Sequence, residues 1–316
     1  MPTAKAAREL QIVDALLTNV ARAYKPSGLI YDQVAPSIPV ELDSGRYPIF
    51  DGFFDDDTDP KVADRAETPE VDFSWSTDSY LCEDYRLKAS VTRKEERQAR
   101  SILRLRQTKL ETVLTRMAIR RERRIAELLR KNDVAGGGLN LGSTPGNNWD
   151  VDAATIEADI KTGALAVYDA TGMTTNTIVI PYKVAYAIAI QQDIRELIKY
   201  TVPGDRILIE GEAILPKVLH GHRVLIPKGA LRNTAQEGGT KALTEIWGDH
   251  VRLLHLPEGG GGWGIPATAY SFKAEPEVVD RWRENDPPVE YVRAWECVDE
   301  KVTAPDMGYE LRSVLS

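Results

Sequence analysis

A chain that performs chemistry must gather reactive side chains, and this sequence holds few of them. His220-Gly221-His222 sets two imidazoles two residues apart, the spacing that would place both on one face of a strand and suit a metal. Asp249, His250 and His255 would have to fold beside them, because no further ligand stands near in sequence. A structural role for these histidines is the expectation. Gly259-Gly260-Gly261-Gly262-Trp263-Gly264 lacks the Lys-Ser/Thr of a phosphate-binding loop, follows no strand-to-helix step, and reads as a plain loop. Cys82 and Cys297 carry no nucleophile signature and read as buried thiols. Neither Gly-x-Ser-x-Gly nor His-Glu-x-x-His occurs. No enzyme activity, cofactor or metal is expected.

Charge is the chemistry that the sequence does advertise. Residues 51–72 contain nine acids (Asp51, Asp55, Asp56, Asp57, Asp59, Asp64, Glu67, Glu70 and Asp72) against Lys61 and Arg65, a net −7. Residues 93–131 contain fourteen bases and five acids, a net +9. The overall charge of −8 conceals these opposed blocks. Such runs are often only solvated surface, and the alternative is that the acidic block of one subunit meets the basic block of another. On that alternative the candidate assembly residues are Asp55, Asp56, Asp57 and Asp59, with Arg120, Arg121, Arg123 and Arg124 opposite. The run 120–124 would also bind phosphates without sequence preference, but it holds no aromatic to stack on bases.

The elements that must position these charges follow from periodicity. Residues 4–24 repeat apolar side chains at helical spacing (Leu10, Val13, Leu16, Leu17, Val20) and stop at Pro26 and Gly28. Pro36, Pro39 and Pro48 make 30–48 extended. Alternation at 71–75 and more loosely at 80–87 predicts a long β-hairpin excursion over 43–90, too poor in aliphatics to stand without a partner surface. Thr92 and Glu95 form a capping box that opens a helix over 92–131, with a break near Gln107-Thr108 as an option and the Gly136-Gly137-Gly138 run beyond its end. Its spacing drifts from a strict heptad, which disfavours a coiled coil. Helices are expected at 153–168 and 181–198. Short strands are expected at 177–180, 206–209, 222–226, 247–256 and 270–273. The end, 290–304 and 308–315, reads as an antiparallel pair around Pro305-Asp306. At 316 residues the chain exceeds one ordinary core, and the class is α+β with one very long helix. No signal peptide and no apolar run of 18 residues is present, so a soluble protein of a reducing compartment is expected.

The order of arm, hairpin excursion, long helix, α/β region and returning strands resembles the major capsid protein of tailed bacteriophages, the Hong-Kong-97-type capsid fold. Short phrases carry the likeness as well: 36–40 (PSIPV) with 44–48 (SGRYP), 86–92 (RLKASVT) leading into the long helix, 246–251 (IWGDHV), and 300–302 with 308–311. The resemblance implies an N-arm over 1–40, an E-loop over 41–90 that lies on a neighbouring subunit, and a peripheral domain with its spine helix over 91–172. It implies an axial domain over 173–285 and strands of the peripheral domain returning over 286–316. It also implies a structural head protein that assembles with itself into the hexamers and pentamers of an icosahedral shell. That shell would enclose double-stranded DNA held by non-specific contact, and would expand as the DNA is packaged. A portal and a decoration protein are the other expected partners, with no membrane. The chain begins with about 24 helical residues, so the scaffold is expected to be a separate protein. The location implied is the virion capsid, assembled in the host bacterial cytoplasm. An encapsulin-like shell around an enzyme cargo is the alternative on the same fold, and a DNA-binding interaction protein is a more distant one. The lysine–asparagine cross-link of some relatives does not carry over, because Lys61 has no identifiable partner.

Overall fold

A computed structural model describes residues 12–49, 61, 76–99, 101–151, 155–192, 194, 196, 219, 221–235, 240–257, 261–285 and 288–316. The chain enters as a short strand, β1 (Ile12–Val13), followed by helix α1 (Ala15–Ala23). The helix starts at Ala15 rather than near residue 4, because the Asp14 side chain accepts the Leu17 N–H at 3.1 Å and caps it there. Residues 4–10 of the expected helix lie outside the described residues. The extended stretch holds one helical turn, α2 (Tyr31–Val34), then β2 (Ser37–Pro39) and β3 (Ser44–Pro48). β4 (Thr77–Leu81) pairs antiparallel with β3 from Ser44↔Leu81 to Pro48↔Thr77, forming the root of a hairpin. The strand expected at 71–75 and the acids Asp55, Asp56, Asp57 and Asp59 lie outside the described residues.

β5 (Glu83–Thr92) runs into the long helical region, which is divided. α3 (Arg93–Gln98) carries the expected capping box, Glu95 N–H to Thr92 Oγ1 at 3.3 Å and Thr92 N–H to Glu95 Oε2 at 2.9 Å. Ala99 and Ser101 then turn to extended dihedrals, and Ser101 caps a second helix, α4 (Ile102–Leu128). The break therefore falls at 99–101 and not near Gln107. The reason is packing: the sequence RKEERQ of α3 has no apolar side to bury, so nothing holds it in line with α4. At about 1.5 Å per residue α4 is roughly 40 Å long.

The apolar stripe of α4 (Leu110, Val113, Leu114, Met117) packs with Leu17 and Ala21 of α1 onto Val279, Val292 and Ala294 of a sheet. A coiled coil is thereby excluded for this stripe, since the chain's own sheet covers it. That sheet is built on two long strands, β12 (Ala269–Asn285) and β13 (Pro288–Val302), with β5 antiparallel to β13 along its other edge. β1 and β2 add to β12. The expected fragment 270–273 is thus the start of a 17-residue strand. Register shifts between Lys273 and Val278 interrupt the alternation that would have marked the whole strand. The expected segment boundary at 285/286 falls between β12 and its partner β13, so β12 belongs to the sheet under α4 and not with the preceding residues.

After α4 come β6 (Leu141–Ser143), α5 (Ile156–Thr171), β7 (Thr177–Val179), α6 (Tyr182–Ile190), β8 (Arg223–Leu225), the small hairpin β9 (Leu231–Asn233) and β10 (Leu243–Glu245), and β11 (Val251–Leu254). A 3-10 turn at Pro305–Met307 leads into β14 (Gly308–Leu311). The order β6-β14-β11-β7-β8 makes a second, mixed sheet, with Ile160, Val167, Ile178, Val184, Ile188 and Leu253 in its core. β14 pairs with β11 and β6 rather than with β13, because the 3-10 turn carries the chain from one sheet to the other. The strand expected at 247–256 shortens to 251–254, since Gly248 takes a left-handed φ of 64° and turns the chain there. The strand expected at 206–209 and the end of the 181–198 helix lie outside the described residues. A third cluster joins the two sheets, with Ile125, Ala126 and Leu129 from the end of α4 against Val179, Leu225, Leu254, Ala269 and Val302.

α5 approaches this second sheet through Gly163, where an added Cβ would stand 2.5 Å from Leu253 Cδ1 and 2.9 Å from the Tyr309 ring. Alanine is the better helix former by about 1 kcal/mol. Overpacking costs about 1–3 kcal/mol and outweighs it. Gly163→Ala is therefore expected to lower the thermal midpoint, and an unchanged or raised midpoint by calorimetry would show that α5 can lift off without loss.

Candidate functional site

The described histidines and both cysteines are committed to the fold. His222 is buried, with Nε2 2.8 Å from Thr175 Oγ1 and Nδ1 2.9 Å from Leu219 O. His255 Nδ1 lies 2.7 Å from Thr174 O, and His250 Nδ1 accepts the Ser313 N–H at 3.2 Å. His220 lies outside the described residues. Burial raises both thiols, that of Cys297 to about 12, which leaves them poor nucleophiles. Among the described residues no three His, Cys, Asp or Glu side chains stand together as a metal would need.

The charged groups of α4 are the notable feature, and besides the pair of Arg106 with the buried Glu290 at 2.8 Å they form three buried anchors and an outward row. The first anchor joins α4 to β13. Arg124 donates to both oxygens of Glu300, at 2.8 Å and 2.6 Å, and lies over the Tyr85 ring at 3.8 Å. Arg121, 3% exposed, reaches Glu300 at 3.5 Å, Asp32 at 3.7 Å and Glu296 at 3.8 Å, and donates to Ser37 Oγ at 3.1 Å. Lys273 of β12 adds to the group, 3.5 Å from Glu296.

The second anchor is Glu122, which has no exposed surface. It accepts the backbone N–H of Ile30 (3.0 Å) and Tyr31 (2.7 Å) at the start of α2, and the Trp247 indole N–H at 2.6 Å. One carboxyl thus joins α4, the N-terminal stretch and the turn before β11. Burial pushes it up to about 7 despite these three hydrogen bonds.

The third anchor closes the C-terminus of α4. Arg252 of β11, 1% exposed, donates to Leu129 O at 2.9 Å and Ala126 O at 3.1 Å. Gly138 donates to Leu128 O at 2.8 Å from the returning glycine loop. These carbonyls would otherwise be unsatisfied at a buried helix end, and a guanidinium there also meets the negative pole of the helix. Glu310 of β14, fully buried, balances the charge 3.7 Å from Arg252 and accepts the Lys131 N–H at 2.8 Å.

Two of the four basic candidates are therefore corrected. Arg121 and Arg124 do not belong to an exposed strip, because they point inward and are neutralised by acids 175 or more positions later in the chain (Glu296 and Glu300). Arg120 and Arg123 are exposed, and with Arg104 and Arg116 they form an outward row along α4 that includes Thr108 and Thr112. Arg123 pairs with Glu127 at 2.7 Å, whereas Arg104, Arg116 and Arg120 have no ion pair among the described residues. The acidic candidates lie outside the described residues. Sequence reasoning missed Glu122, Arg252, Glu296, Glu300 and Glu310. A signal existed for two of them: 292, 294, 296, 298, 300 and 302 share one face of a strand, and acids among its apolar residues call for buried bases.

Removing Arg252 would leave Glu310 with Arg130 alone, at 3.8 Å, and the α4 carbonyls open, a loss of about 3 kcal/mol. Arg252→Leu is expected to reduce the folded yield sharply, and a normal thermal midpoint would contradict the anchor. For Glu122 the folded carboxyl titrates at about 7 against an ordinary 4.5, so the folded chain binds the extra proton in that window and stability falls as pH rises through it. A shift of that size is on the order of 3 kcal/mol. Glu122→Gln is expected to flatten the decline between those two pH values in a series of thermal melts, and an undiminished slope would contradict it.

No protein-family model matches the sequence. The chain is 22% identical over 312 residues to the major capsid protein of Burkholderia phage BcepMu, covering 97% of this chain and 98% of that one. It is 26% identical over 312 residues to the major capsid protein of Pseudomonas phage JBD67, covering 94% and 95%. Its fold matches a phage-related protein from Bordetella bronchiseptica RB50 with a TM-score of 0.75 at 18% identity, over 96% of this chain and 98% of that one. It matches the capsid of the Myoviridae phage XM1 at 0.53 and 14% identity, over 98% and 99%. An encapsulin from Synechococcus elongatus PCC 7942 matches at 0.52 and 15% identity, over 96% and 95%.

Proposed function

We propose that this chain, which has the α+β fold of tailed-phage capsid proteins, is the major capsid protein of a phage head and builds its shell from many copies of itself. The observation that carries this is coverage: the likeness to two phage major capsid proteins runs from end to end of both partners, 97% of this chain and 98% of the BcepMu protein in the first case. The role is structural, and the place of the protein is the virion capsid.

The finer reading is as follows. The copies form the hexamers and pentamers of an icosahedral shell, assembled in the host bacterial cytoplasm around a separate scaffolding protein. A portal joins the shell, and a decoration protein is a further partner. Residues 1–40 serve as the N-arm, and the E-loop expected over 41–90 is rooted on the β3–β4 pair, its last residues forming β5 of the long sheet. α4 is the spine helix of the peripheral domain, and the sheet around β7 and β11 is the axial domain. The shell encloses double-stranded DNA and expands on packaging. The outward row Arg104, Arg116, Arg120 and Arg123 suits a phosphate backbone, because it offers guanidinium groups without base-reading geometry. The acids Asp55, Asp56, Asp57 and Asp59 act between subunits. The encapsulin match favours a second reading on the same fold, a shell around an enzyme cargo.

Negative-stain imaging of protein co-expressed with its phage's scaffolding protein is expected to reveal closed shells of uniform diameter. Soluble oligomers alone would sink the proposal, and shells that carry an enzyme without any portal would favour the second reading. Arg116→Gln with Arg120→Gln is expected to leave shell formation intact while DNA escapes from filled heads at lower salt. Unchanged salt dependence would remove these residues from the DNA-facing role.

A further inference from the structure

Beyond β14 the segment 312–316 straps the second sheet. The Arg312 N–H donates to Ser143 O at 2.9 Å, and its guanidinium meets Asp133 at 2.9 Å. The Val314 N–H donates to Asp249 O at 3.1 Å, Val314 O accepts the Trp149 N–H at 2.6 Å, and the Ser316 hydroxyl donates to Asp150. Val314 is fully buried in the core of that sheet, and Leu315 packs against it. Between these holds, Ser313 takes a left-handed φ of 49°, alone among the described non-glycine residues. Its N–H ends on a group that can change charge, because it donates to His250 Nδ1 at 3.2 Å.

Four charged groups face that imidazole. Asp249, on its own turn, stands 3.6 Å from Nε2. A neutral ring that accepts at Nδ1 carries its proton on Nε2, the side of Asp249. Glu310 Oε1 of β14 lies 4.0 Å from Nδ1, and this buried oxygen has no hydrogen bond among the described residues. Arg252 of β11 and Arg130 beyond α4 flank the same oxygen at 3.7 Å and 3.8 Å. The ring lies close on its turn, since a Cβ on Gly248 would stand 3.3 Å from His250 Cδ2. Its side chain keeps 18% of its surface exposed, so protons reach it from water. Burial, and after it Arg252, holds its pKa below the usual 6.5, with Arg130 adding to the effect and Glu310 and Asp249 opposing it.

We propose that His250 is a proton-operated latch on this strap. When neutral, its Nδ1 holds the Ser313 N–H. When protonated, its Nδ1–H turns to Glu310 Oε1 and lets the strap go. One proton is taken up from water, and no other covalent bond forms or breaks. Two donors cannot share a hydrogen bond, so protonation of Nδ1 deprives the Ser313 N–H of its acceptor. The new N–H meets the one oxygen of Glu310 that has no hydrogen bond, and Ser313 is free to leave its left-handed conformation. With the strap open, His250 regains at least its ordinary 6.5, whereas the closed form holds its proton less tightly. The open form therefore binds more protons, and opening becomes easier as pH falls through 6.5, by about tenfold per pH unit at most. The latch needs one chain only and stands apart from the shell reading.

The test follows amide deuterium exchange in segment 312–316 of the full chain by mass spectrometry between pH 7.5 and 5.5. At each pH the rate is divided by that of a synthetic peptide of residues 308–316, which removes the intrinsic pH dependence of exchange. The ratio is expected to rise about fivefold to tenfold as pH falls. His250→Asn sets an amide oxygen where Nδ1 was, and leaves Asp249, Glu310, Asp133 and Asp150 in place. That variant is expected to keep the segment protected without a rise. A flat ratio in the wild type, or a rise that persists in a folded His250→Asn chain, would overturn the latch. A second measurement needs no variant. In wild-type protein with carbon-13 in its four histidines, one imidazole is expected to titrate with the same midpoint as the exchange step. Midpoints that fail to coincide would overturn the latch as well.

Discussion

Charge buried at the C-terminal half of α4 must be neutralised and hydrogen-bonded, and the rest of the fold is arranged around that requirement. An ionised group taken out of water costs several kcal/mol unless a partner of good geometry replaces the solvent. Arg121 and Arg124 receive Glu296 and Glu300 from β13, Glu122 receives three N–H groups, and the open carbonyls receive Arg252. Each partner comes from a different part of the chain. The helix can therefore be fully satisfied only when the N-terminal stretch, the long sheet and the second sheet are all in place.

Glu122 ties α4 to Ile30 and Tyr31 on one side and to Trp247 on the other, within a hydrophobic cluster that spans both sheets. Polar anchors of this kind specify one arrangement of elements where apolar contact alone would tolerate several. The buried clusters of both sheets are largely aliphatic, whereas segment 51–72 carries nine acids.

Much of the architecture was legible because its signals are local. The capping box at Thr92, the turn at Pro26 and Gly28, the strand at 177–179 and the helix after Pro181 depend on residues a few positions apart. The misreadings share one cause. The expected pairing of 290–304 with 308–315 was a choice among partners, and strand partners are decided by contacts across the whole chain. The break at 99–101 depended on α3 having nothing to pack against, which local helix propensity does not report. The long strand β12 was hidden by its own bulges.

The amino-acid sequence by itself determined the element types, the two opposed charge blocks and the absence of a reactive constellation among its familiar motifs, since these are properties of residue type and short spacing. It also carried the family likeness, through the order of elements. Only the tertiary structure decided which charges face outward. Arg120 and Arg121 are neighbours of identical chemistry, yet one is exposed and the other is 3% exposed among three carboxylates. A helix turns 100° per residue, so the direction each side chain takes depends on where the sheet lies, and that sheet is assembled from residues nearly two hundred positions away.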